Sequence, residues 1–258
     1  MAAILRTAAG VGAGLVVGYC MPKLEVLTPF AEPVEKALAA LPFPKPKLEL
    51  TYFDIMGVAE KVRLTCVVGG LKFEDKRVKF DDWPALNMTT KFGQLPLLSV
   101  DGEVFAQSNA MITYVGKLTG MYPSDPKKAL AVDQVIGLHE DVMGKIRPSI
   151  LIMRDTTLLK KEALNKQTEM RRELAVTSLP AMFSLYEQLL TDSSTGFFVG
   201  SSATVADIAV FAQLKFITSG FLDGIPPTIV DNFPKLSAHY ARVGQMPAIQ
   251  KWYEAEKK

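Results

Sequence analysis

Apolar positions recur every second residue at the start of the globular part of the chain. Leu48, Leu50 and Tyr52 share one face of an expected strand. The period then changes. Val58, Val62 and Cys66 recur every four residues, which predicts a helix over Val58 to Val68 with Gly69-Gly70 as its stop. Lys76 to Phe80 reads as a second strand, so strand-helix-strand implies a parallel, right-handed crossover. Leu97 to Val100 and Val104 to Ala106 flank Asp101-Gly102, a strong hairpin signal. A helix from about Asn109 to Leu118 closes the unit.

Strand signals mostly vanish after Pro126. Ala129 to Ile146, Lys160 to Leu190 and Val205 to Phe216 read as helices, with Pro180 as a break or kink in the second. Thr204-Val205-Ala206-Asp207 has the form of a capping box, Asp207 reaching back to the Thr204 amide. The expected fold class is therefore α/β plus all-α. A thioredoxin-like unit over residues 47–124 is followed by an all-helical unit over 125–258.

The segment before residue 47 differs in kind. Thr7 to Pro22 is uncharged, and Arg6 is the only charged side chain before Lys23. With Ala2 to Leu5 added and Arg6 snorkelling, residues 1–22 approach the ~20 needed for a spanning helix. Gly10, Gly14 and Gly18 would fall on one face, a pattern that lets helices pack closely in lipid. A membrane anchor ranks first. A cleaved targeting segment, leaving a soluble protein, and a disordered glycine-rich end are the alternatives. Residues 23–46 carry Pro29, Pro33, Pro42, Pro44 and Pro46 and read as a stiff linker, with Val34 to Leu41 as a short helix.

Composition narrows the chemistry. A formal net charge of +2 with no Lys/Arg block argues against a nucleic-acid surface. Cys20 and Cys66 cannot build a disulfide framework, and His139 and His239 have no nearby cysteine, so no metal site is expected. Cys66, on the apolar face of its helix, reads as core.

Five motifs in order carry a resemblance: Leu50-Thr51-Tyr52-Phe53, Asp82-Trp83-Pro84, Phe92-Gly93-Gln94-Leu95-Pro96, Gln107-Ser108-Asn109-Ala110, and the Thr204 to Asp207 box. In order and spacing they resemble glutathione transferases, nearest the sigma class that includes glutathione-dependent prostaglandin D synthases. The likeness covers roughly residues 47–255 and leaves out the N-terminal segment.

The resemblance implies glutathione as co-substrate and a small electrophile as its partner. Tyr52 would donate its hydroxyl to the glutathione sulfur. Pro96 would be a cis-proline that turns the Leu95 backbone toward the peptide, with Gln94 beside it. Gln107 and Ser108, at a helix N-terminus, would take the γ-glutamyl carboxylate. Trp83 would bond the glycyl end. Asp141 would reach across a homodimer interface to the glutathione amine.

The chain also departs from the pattern. Met56 and Val58 stand where arginines are common, and Asn87 where a lysine helps hold the glycyl carboxylate. Two functions follow. The first is a glutathione transferase that conjugates or isomerises, attached to a membrane. The alternative is a non-catalytic accessory subunit of a membrane complex, held through Gly10, Gly14 and Gly18.

Overall fold

The computed structural model describes residues 45–256. Strand β1 (Leu48–Phe53) leads through a 3-10 turn at Gly57–Ala59 into helix α1 (Glu60–Val68), then β2 (Glu74–Val78). A short helix α2 (Trp83–Asn87) precedes the hairpin β3 (Leu97–Val100) and β4 (Glu103–Ala106), and α3 (Ser108–Thr119) follows. The sheet runs β2-β1-β3-β4, with β1 parallel to β2 and the other neighbours antiparallel. This is the thioredoxin-like arrangement.

Six helices follow among the described residues: α4 (Pro126–Leu151), α5 (Lys160–Val176), α6 (Ser178–Ser193), α7 (Val205–Ile217), α8 (Pro234–Gly244) and α9 (Pro247–Ala255). Helix α7 is apolar nearly all round and buried at Val205, Ile208, Phe211 and Leu214. A helix with no polar face must sit inside the fold. It packs on α1, α4 and α8 and so joins the two units. Its start is fixed by Asp207, which accepts from the Thr204 N–H at 2.7 Å and the Phe198 N–H at 2.9 Å. His239 Nε2 lies 2.9 Å from the same carboxylate. Against α7, helix α3 presents Gly116, where a β-carbon would stand 2.4 Å from Val205 Cγ1. A larger residue there would push the units apart.

Several elements differ from their expected form. The second strand is Glu74–Val78, not Lys76 to Phe80. Pairing with β1 sets its register, Leu50 opposite Asp75 and Phe53 opposite Val78. As an edge strand it tolerates the charged run Glu74-Asp75-Lys76-Arg77, which carries no apolar alternation to read. Phe80 leaves the strand and stacks on Phe53, centroids 4.5 Å apart. The expected break or kink at Pro180 falls instead at Thr177, which separates helix α5 from helix α6. Pro180 lies in the first turn of α6, where its missing N–H has no intrahelical acceptor to lose. The last helix folds back on the first unit, and Arg77 meets the Glu256 carboxylate at 2.8 Å.

The expected N-terminal apolar helix, with Gly10, Gly14, Gly18 and Cys20, lies outside the described residues, as does nearly all of the proline-rich linker. Among the described residues, no helix is long and apolar enough to cross a membrane.

Candidate functional site

The strand register gathers the site. Thr51 of β1 pairs with Leu97, and Leu97 pairs with Ala106. Tyr52, which follows Thr51, therefore ends beside Leu95-Pro96, which precedes Leu97, and beside Gln107-Ser108, which follows Ala106. Three segments distant in sequence converge on one end of the sheet. Ligands in open α/β sheets bind beyond strand ends of this kind.

Tyr52 is 8 % exposed, and its hydroxyl accepts from the Val58 backbone N–H. Burial pushes this hydroxyl above the ordinary tyrosine value. The Val58 N–H and the charges of Arg63 and Arg154 pull it partway back. It stays protonated at neutral pH and is a donor. The loop after it is held from below by Arg63, which is fully buried. The guanidinium donates to the Ile55 carbonyl at 2.8 Å and the Met56 carbonyl at 3.3 Å, and pairs with Glu60 at 3.2 Å and Asp75 at 3.0 Å. Trp252 of α9 donates its indole N–H to Glu60 at 3.2 Å.

The Leu95–Pro96 peptide bond is cis, with Gln94 exposed just before it. Trp83 opens α2, half-buried and edge-on to Phe53 at 5.5 Å, so an aromatic cluster seats it beside the end of β1. Gln107 is the N-cap of α3 with φ 78°, a left-handed backbone that non-glycine residues rarely adopt. Ser108 begins the helix, whose first amides lack intrahelical acceptors. Tyr52, Trp83, Gln94, Leu95, Pro96, Gln107 and Ser108 thus lie at one sheet end.

Asp141 does not join them. It is exposed on α4, one turn beyond Gly137. Gly137 lines an open cleft of about 540 Å³ between α3 and α4, with Asn109, Tyr114, Lys117 and Asp133. Cys66 is buried in the core, and burial, then Asp75, pushes its thiol up to about 12, so it is inert.

The sequence reading missed three residues. Gly57 packs directly on the Tyr52 ring, and Lys61 and Arg63 are buried charges on α1. A helix-period reading assigns such charges to solvent. The one signal was the density of charge at Glu60, Lys61 and Arg63, adjoining a strand end.

Residues 48–117 match the family model described as glutathione S-transferase, N-terminal domain, and residues 155–256 match the corresponding C-terminal domain. The chain belongs to the glutathione S-transferase family. Glutathione S-transferase 1 of Ascaris suum is 36% identical over 207 residues, covering 80% of this chain and 95% of that protein. Hematopoietic prostaglandin D synthase of Gallus gallus is 29% identical over 213 residues, 83% of this chain and 98% of its own. The crystal structure of Na-GST-3 from Necator americanus, described as monomeric, superposes with a TM-score of 0.66. It has 31% identity and covers 81% of this chain and 97% of that one.

These matches correct the expected membrane attachment. The relatives are aligned over nearly their whole length, and the family models begin at residue 48, beyond the apolar segment. Within the described residues there is no crossing helix to set against them.

Proposed function

We propose that this chain is a glutathione transferase that activates the glutathione thiol at Tyr52. The observation that carries the reading is the strand register, which gathers Tyr52, Leu95-Pro96 and Gln107-Ser108 at one end of the sheet. Bound along that end, the peptide pairs its cysteinyl backbone with Leu95. Its γ-glutamyl carboxylate meets the open amides and positive end of α3. Its glycyl end lies toward Trp83.

The Tyr52 hydroxyl then donates to the sulfur. A hydrogen bond to the charged form lowers the thiol pKa. A free thiol near pKa ~8.5 is only about 3% ionised at pH 7. Complete ionisation therefore raises the nucleophile by at most about thirtyfold. The proton passes to water. The thiolate forms a C–S bond to the electrophile, and the leaving group departs with the bonding pair. In an isomerisation the thiolate attacks and is later expelled unchanged.

In this reading Asp141 acts on the glutathione amine of a second copy, which would seat across the cleft between α3 and α4. Sedimentation velocity of the full chain tests this, since a monomer at working concentration removes Asp141 from the site. The accessory-subunit alternative has no support among the relatives, which are named as transferases and as a synthase.

Calorimetric titration of the full chain with glutathione, followed by turnover with a chlorodinitrobenzene, tests the reading as a whole. Saturable binding and enzyme-dependent conjugation are expected. Absence of binding at millimolar glutathione overturns it.

A further inference from the structure

Lys61 is 2 % exposed, on the face of α1 that meets the helical unit. Its ammonium lies 2.5 Å from Asn109 Oδ1 on α3 and 3.1 Å from Glu140 Oε1 on α4. One side chain thus ties together helices 48 and 79 residues away in sequence. Burial draws its pKa below the ordinary lysine value, and Glu140 offsets part of that. Arg147 stands 3.7 Å from the other oxygen of Glu140. His139, forced neutral at pH 7 by burial, flanks the same carboxylate.

Stability alone does not account for this cluster. The Lys61–Glu140 pair is only half-buried, with the Glu140 side chain 37 % exposed, and an ion pair open to solvent adds little net stability. What distinguishes this one is what it fastens. Asn109 is the second residue of α3, next to Ser108 and two after the left-handed Gln107. Glu140 adjoins Asp141.

We propose that Lys61 is a positioning residue of the glutathione site: through Asn109 it fixes the first turn of α3 that receives the γ-glutamyl carboxylate. The inference rests on the function proposed above. Lys61 does not touch the peptide. It holds the amides that do.

The test is the full-length double variant Lys61→Met with Asn109→Leu, which replaces the polar pair by apolar side chains of similar volume. Glutathione affinity by calorimetry and the KM for glutathione should weaken about tenfold. Turnover at saturating glutathione and the KM for the electrophile should stay within twofold, and the variant should remain folded with a somewhat lower thermal midpoint, because Glu140 loses Lys61 and keeps only the charge of Arg147. Should the double variant lose its fold, Lys61→Gln alone supplies the reading. It keeps a donor for Asn109 without the charge, and a smaller weakening, again confined to glutathione, is expected. Unchanged glutathione affinity in a folded variant overturns the inference, as does a fall in turnover with the glutathione KM intact. A wild-type chain that binds no glutathione defeats the site reading and this inference with it. A wild type that binds beside an equally tight variant defeats the inference alone.

Discussion

A β-carbon on Gly57 would lie 2.5 Å from the Tyr52 hydroxyl oxygen and 2.8 Å from the edge of its ring. Gly57 also adopts φ +45°, which favours glycine. The position beside the proposed catalytic hydroxyl is thus closed to any side chain. Gly57→Ala should displace the Tyr52 ring and lower turnover at least tenfold, while glutathione affinity changes little. Parallel kinetics and calorimetry on the variant check this, and wild-type turnover would show that the hydroxyl need not stay where it is.

Tyr52→Phe removes the donor and leaves the ring. Because thiol ionisation can contribute at most about thirtyfold at pH 7, the loss in turnover should be about ten- to thirtyfold there. It should shrink as the pH rises past ~8.5, where glutathione ionises unaided. A pH–rate profile of both proteins reads this. A deficit that persists undiminished at high pH would assign the hydroxyl a role other than thiol ionisation.

At Gln107 strain and binding should separate. A non-glycine residue at positive φ costs on the order of 1–3 kcal/mol. Gln107→Gly should therefore raise unfolding stability by about 1 kcal/mol while weakening glutathione binding through loss of the side chain. Denaturant unfolding and calorimetry give the two signs independently.

Acid should loosen the joint between the units. Burial holds His139 at about 4, against an unfolded value near 6.5. Between those values the unfolded chain binds a proton that the folded chain refuses, so stability falls as the pH drops from 6.5 toward 4. Glu140, kept below the usual carboxylate range by the adjoining His139 ring and by Lys61, adds to the loss further down. Thermal midpoints across pH 4 to 7 should slope upward, and His139→Leu should flatten the upper part of that slope. An unaltered slope would place the acid sensitivity elsewhere.

What could be read from the chain divides by range. The Asp101-Gly102 hairpin, the Thr204 to Asp207 cap and the alternation through Leu48, Leu50 and Tyr52 are written in neighbouring residues, and each was legible. The motifs around Leu95-Pro96 and Gln107-Ser108 are read from their resemblance to the family and not from local pattern alone. Helices α8 and α9 are not legible in the sequence, because their short apolar faces lack the long periodic run that marks α7. The second strand was misplaced because only its pairing with β1 defines it. Lys61 and Arg63 were unreadable as buried charges, since Asn109, Glu140 and Asp75 reach them from other elements.

The return of the last helix to the first unit has a consequence in time. Trp252 holds Glu60, and Glu256 holds Arg77, across 192 and 179 residues. A chain leaving the ribosome presents Glu60 and Arg77 long before Trp252 and Glu256 have been made, so these two ties form after the first unit's own contacts. The loop that follows Tyr52 is held from the start by Arg63, within its own unit, and the ties from Trp252 and Glu256 brace that hold from outside once they form.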